Sequence, residues 1–229
     1  MKKLGIIGGF GPETSAAFQM AIIKRCQEAG LERRPEIIMW NAPIPLHLEE
    51  DLILRDTRIH EFIPFLIQGA RTLEAAGAEI IVMPCNTLHQ FIHLIRKAVR
   101  VPVMSIIDET IEHLKQQRVT RVAIFATQAT IESALYDGSL SRQDLHPILP
   151  TYHEQAAINQ VIFDILNGKA HKRATRILKA ISDECISRGA TDILLACTDL
   201  QIVFPKSMMV RIHDTMHILA ETTVDEMLE

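Results

Sequence analysis

Two kinds of apolar stretch alternate along this chain. Short continuous runs at residues 4–7, 36–39, 80–83, 101–107, 121–125, 193–195 and 210–213 read as strands buried on both faces. Between them, apolar residues recur at helical spacing, as Phe62, Phe65, Leu66 and Leu73 do within 58–76. The same spacing predicts helices from Pro12, over 89–99, 155–166 and 171–188, and from Asp214. Pro12 and Glu13 are start signals, while Gly77 and Gly189 supply the stops. Strands alternating with helices predict parallel sheets joined by right-handed crossovers, an α/β fold.

One unit of this pattern occurs twice. Gly77-Ala78 leads through Ile80-Ile81-Val82-Met83-Pro84 to Cys85-Asn86-Thr87, and Gly189-Ala190 leads through Ile193-Leu194-Leu195-Ala196 to Cys197-Thr198-Asp199. Each copy delivers a thiol to the carboxyl end of a strand, where open α/β sheets bind ligands. A smaller echo places Asp108 and Asp214 after a strand and before a helix, as N-caps would stand. Residues 121–125 followed by Ala126-Thr127 repeat the opening strand, with Ala126-Thr127 standing where the first half has Gly8-Gly9. No Gly-, Ser- or Pro-rich linker separates the halves, so they are expected to pack closely with a ligand cleft between them.

Hydrophobic content of 48% and charged content of 23% describe an ordinary globular protein, and 229 residues suffice for two cores. A net charge of −4 gives no reason to expect nucleic acid or an anionic membrane as partner. No apolar run reaches the length of a membrane span and no export signal is visible, so the four cysteines are expected as thiols in the cytoplasm. They lack the Cys-x-x-Cys spacing of a zinc site.

Cys26 and Cys185 lie within helical patterns and read as small core hydrophobes. Cys85 and Cys197 are followed by polar Asn-Thr and Thr-Asp, which suits a site, and a helix N-terminus beside a thiol would make thiolate available near neutral pH. Cys85, His89 and His93, spaced by four, form a rival metal set that would leave Cys197 unexplained. His113 and His171 read as solvated surface residues. The Gly9-Phe10-Gly11 turn lacks the third glycine of a dinucleotide fingerprint, so Gly9 is expected to let backbone N–H groups approach a small carboxylate.

Met83-Pro84-Cys85-Asn86-Thr87 with His89 resembles the first signature of the aspartate/glutamate racemase superfamily, which works without pyridoxal phosphate. Ala196-Cys197-Thr198-Asp199-Leu200 resembles the second, usually Gly-Cys-Thr-Glu. Gly5-Ile6-Ile7-Gly8-Gly9 with Gly11-Pro12 is also similar, and Ile158-Asn159-Gln160 with Ile162-Phe163 resembles a bacterial amino-acid racemase branch.

The resemblance implies two pseudo-twofold α/β domains, residues 1–104 with a returning helix at 214–229, and residues 105–213. It implies a two-base racemase in which Cys85 deprotonates the D-amino acid and Cys197 the L-amino acid. Asn86, Thr87, Thr127 and Thr198 would hold the α-carboxylate and amine. It implies an amino-acid substrate, no cofactor, no metal and a homodimer. Two departures bear on the substrate: His47 stands where aspartate racemases carry an arginine, and Asn167 stands near their lysine. The resemblance keeps aspartate and glutamate as the leading substrates, while a site without those charges is expected to let neutral polar amino acids compete, unless a bound carboxylate protonates His47 or Arg55 or Arg58 swings in. Maleate isomerases, hydantoin racemases and a non-catalytic amino-acid binder are the other readings the frame allows.

Overall fold

The structure is a computed structural model that describes residues 1–136, 145–169, 171–206 and 208–229; the side chain of His171 lies outside the described residues. Strand β1 (Leu4–Gly8) lies between β2 (Ile37–Asn41) and β3 (Ile80–Val82), all parallel, in the order β2-β1-β3. The second sheet has the order β5-β4-β6-β7, from β4 (Arg121–Phe125), β5 (His146–Ile148), β6 (Asp192–Leu195) and β7 (Arg211–Asp214). A single bridge from Ile81 to Val103 stands in the first sheet where β7 stands in the second. With that substitution the two sheets have the same order, and β3 and β6, which lead to the two cysteines, occupy equivalent places.

The expected strand over 101–107 is reduced to that bridge. Ser105 ends it, because its Oγ accepts the Asp108 N–H at 3.1 Å and starts α5 (Ile106–Gln116). Ser105, not Asp108, is therefore the cap. Asp214 does cap its helix, α9 (Thr215–Leu228), accepting from Met216 N at 2.9 Å. The other helices are α1 (Pro12–Glu28), α2 (Leu46–Arg55), α3 (Ile63–Ala75), α4 (Ile92–Ala98), α6 (Gln128–Glu132), α7 (Tyr152–Leu166) and α8 (His171–Ser187). Short 3-10 segments lead into α3 and α4.

Period-two alternation makes each sheet the centre of a sandwich. Leu4, Ile6, Ile80 and Val82 face one way, and Ile7 and Ile81 face the other, toward Leu66, Ala70 and Leu73 of α3. The second sheet does the same, with Phe125, Ile193 and Leu195 facing α7 and α8. Val122, Ile124 and Leu194 meet the first-sheet group through a shared layer of α1, α5 and α9, represented by Phe18, Ile111 and Leu219. One core cluster thus spans both halves. Among the described residues no helix is long and apolar enough to cross a membrane.

Two placements here shape the cleft. Helix α2, absent from the strand–helix pattern, packs against α7 of the second half. At Gly9 the backbone adopts φ 95°, and a Cβ there would lie 2.5 Å from Ala42 N, so only glycine lets the first turn fold against the chain leaving β2.

Candidate active site

Cys85 follows β3 and Cys197 follows β6, and both line one cavity of about 50 Å³ between the halves. Asn86, Thr87, Thr127 and Thr198 line it as well. Their side chains are buried and already ordered. Asn86 donates to Thr215 Oγ1 at 2.9 Å and accepts from the Tyr136 hydroxyl. The hydroxyls of Thr87, Thr127 and Thr130 form a triangle, with Thr87 2.9 Å from Thr127 and 3.0 Å from Thr130. Thr198 Oγ1 donates to Pro84 O at 3.2 Å, tying the second cysteine loop to the first. Preset hydroxyls and amides of this kind stabilise charge with little reorganisation.

Two expected site residues lie elsewhere. His47 is exposed on the first turn of α2 and is not among the cavity's lining residues. Gly9 is buried, but its N–H donates to Ser15 Oγ at 3.1 Å, so Gly11 rather than Gly9 reaches the cavity. Asn167 is exposed too, with its amide donating to Phe163 O at 2.9 Å. Arg55 and Arg58 do not swing in; both pair with Asp51, and Arg58 also with Glu61 at 2.6 Å.

Two acids that the sequence did not single out as site residues line the cavity instead. Asp199 is buried, accepts from the Thr14 hydroxyl, and takes a long contact from the Cys197 thiol at 3.8 Å. Gly11 leaves room for it, since a Cβ there would meet Asp199 Oδ1 at 2.6 Å. Burial pushes the Asp199 carboxyl up to about 6, partly opposed by the Thr14 bond. Glu49, from α2, is pushed up to about 7 by burial and by the charge of Asp199. The sequence signal for Asp199 was its place in the second cysteine unit; Glu49 had no signal, because only the docking of α2 brings it here.

His89 holds the first cysteine loop. Its Nε2 accepts the Ile106 N–H at 3.1 Å, which leaves the proton on Nδ1 to be donated to Cys85 O at 2.6 Å. Burial lowers its pKa to about 4, so the ring is neutral. With both nitrogens committed to backbone and His93 exposed, Cys85, His89 and His93 do not converge on one point. His113, expected at the surface, meets His213 Nδ1 at 3.2 Å.

The thiols themselves depart from the expectation of a lowered pKa. Burial pushes Cys85 up to about 12, although N–H groups of Leu88 and Thr87 act the other way, and Cys197 is raised well above the ordinary thiol range by burial and then Asp199. Cys85 keeps some surface exposed as a residue, but the density of atoms around its sulfur outweighs the turn's dipoles. A raised pKa means less thiolate at neutral pH and more as pH rises. Iodoacetamide alkylation of both cysteines in the unliganded protein is therefore expected to be slow at about pH 7 and still accelerating beyond about pH 9. Peptide mapping across pH reads each site, and a plateau by about pH 8 would mean preformed thiolates.

Comparison with known proteins gives a consistent result. Residues 7–223 match the family model described as Asp/Glu/Hydantoin racemase. The chain is 30% identical over 230 residues to the broad specificity amino-acid racemase RacX of Bacillus subtilis (strain 168), covering 98% of each. An aspartate racemase homologue from Pyrococcus horikoshii OT3 superposes with a TM-score of 0.80 at 27% identity over 100% of both chains. The Picrophilus torridus aspartate racemase shares the fold, with a TM-score of 0.82 at 22% identity, over 99% of this chain and 94% of that one.

Proposed function

The chain belongs to the Asp/Glu/hydantoin racemase family, and from that premise we propose that it racemises amino acids by two-base proton transfer between Cys85 and Cys197. The observation that carries this reading is the delivery of both thiols to one cavity from equivalent strands of two like sheets. An α-carbon held between them has one sulfur on each face. One cysteine, as thiolate, takes the α-proton; the C–H electron pair stays on carbon; the other, as thiol, donates its proton to the opposite face. The product leaves the first sulfur as thiol and the second as thiolate, ready for the reverse reaction. We propose the same division of the chain as the sequence suggested, 1–104 with 214–229 and 105–213, with the cleft between.

The raised thiol pKa values require that substrate binding supply what makes a thiolate affordable. The α-ammonium does so, entering a cavity whose ionisable lining among the described residues is Glu49, Asp199 and the two cysteines. Asn86 has one amide N–H beyond its bond to Thr215, and the Thr87, Thr127 and Thr198 hydroxyls turn from their present partners to meet the α-carboxylate, where negative charge grows as the carbanion forms.

Incubation with L-amino acids in D₂O tests the reading. Deuterium at Cα and formation of the D-enantiomer are expected together, with no loss of activity on chelation. Tight binding of an amino acid without any Cα exchange would instead identify a binder.

A further inference from the structure

The acid on α2 has no task in the proton transfer. Glu49 makes no ion pair or side-chain hydrogen bond among the described residues, yet it lines the reaction cavity. Among the described residues, none of the cavity's lining is a lysine, arginine or histidine that could answer it. The remaining wall toward α2 and α7 is apolar, formed by Phe10, Leu52, Ile53, Phe62, Ile162 and Leu166.

We propose that Glu49 selects the substrate side chain, binding the distal cation of a basic amino acid whose methylene stem lies along this apolar wall. The inference rests on the racemase reading of the same cavity. A lysine-type side chain is an apolar stem with a charged tip, and the cavity offers both an apolar wall and the Glu49 carboxylate. An aspartate or glutamate side chain would bring a further carboxylate toward Glu49 and Asp199, with Arg55 and Arg58 held elsewhere. The α-ammonium is the rival partner for Glu49. Glu49 comes from α2, whereas Asn86, Thr87 and Thr198, which suit the α-carboxylate, come from the strand-end loops. With the α-carboxylate on those loops, the wall left for the side chain includes Glu49, Leu52 and Ile53 of α2.

Lysine, norleucine and glutamate separate these roles, since norleucine keeps the stem and lacks the cation. Their kcat/KM values in the wild type and in Glu49→Gln, and their binding by calorimetry, are the measurements. The wild type is expected to prefer lysine over norleucine by about tenfold or more, and Glu49→Gln to lose that preference by one to two orders of magnitude, roughly the contribution of one charged hydrogen bond. The glutamate-to-norleucine ratio is expected to rise in the same variant. A lysine-to-norleucine ratio unchanged by Glu49→Gln would overturn the proposal and assign Glu49 to the α-ammonium. Glutamate preferred by the wild type would also overturn it. If no amino acid exchanges its α-proton, the racemase reading fails, and calorimetry still decides Glu49 by whether lysine binds more tightly than norleucine.

Discussion

Serine at position 85 or 197 is expected to lower the racemisation rate by about three orders of magnitude or more, the upper range of what positioned acid–base groups contribute. A hydroxyl is several powers of ten less acidic than a thiol, so it cannot carry a proton to or from carbon in this cavity. The geometry makes a sharper demand than loss of rate. Cys85 and Cys197 reach the cavity from different sheets. Each single variant therefore keeps one sulfur on one face, and any remaining deuterium wash-in should be confined to one enantiomer, the opposite one in the two variants. Chiral separation followed by mass spectrometry reads both quantities. Cys26→Ala and Cys185→Ala alter buried thiols away from the cavity and should leave turnover near normal. Racemisation by Cys197→Ser at the wild-type rate would end the two-base reading.

Asp199→Asn is the other large effect expected, at about 10²-fold in kcat with a much smaller change in KM, as for loss of an interaction made mainly in the transition state. Asn keeps an oxygen for the Thr14 hydroxyl but places an N–H donor beside Cys197 sulfur in place of a carboxylate acceptor. That outcome would make Asp199 a positioning residue for the second thiol. Its folded pKa of about 6 lies above the ordinary aspartate value, so the native state favours the protonated acid. The sign follows: folding stability from this group is fullest at low pH and declines as pH rises through about 6, while activity needs the carboxylate and declines as pH falls through about 6. Asp199→Asn should consequently lose the acid limb of the pH–rate profile near that value while unfolding at neutral pH at a denaturant concentration no lower than the wild type. A variant with an intact acid limb would show that another group, Glu49 being the nearest candidate, sets it.

Much of the frame was legible because its strands are buried on both faces and so leave unbroken apolar runs. Residues 4–7 and 121–125, and the approaches to both cysteines, were readable for that reason. Val101-Pro102-Val103 looked equally apolar, but Pro102 has no N–H and Ser105 caps the next helix, so one bridge is all that forms. β5 was missed because His146-Pro147-Ile148 is three residues long and contains a proline. α2 was hidden behind Ile44-Pro45, and with it Glu49. The buried face of α2, Leu48, Asp51, Leu52 and Ile53, has helical spacing but includes an aspartate, which breaks the apolar pattern, and its contact with α7 is a tertiary fact. His47 drew attention through its place in the resemblance, yet the first turn of α2 points it to solvent. Cys85, Asn86, Thr87, Thr127, Cys197 and Thr198 line the cavity because each lies within a few residues of a strand end, where local sequence and spatial position coincide.

The shared middle layer sets an order for biosynthesis. Leu4 and Ile6 of the first strand rest in the same cluster as Leu219, Val224 and Met227 of α9, and Lys2 N–H donates to Met227 O at 2.8 Å. The amino-terminal sheet emerges from the ribosome first, but the layer over one of its faces stays incomplete until these late residues arrive. Nascent chains stalled before α9 should remain protease-sensitive and bind chaperones, unlike a protein whose leading domain folds while the rest is translated.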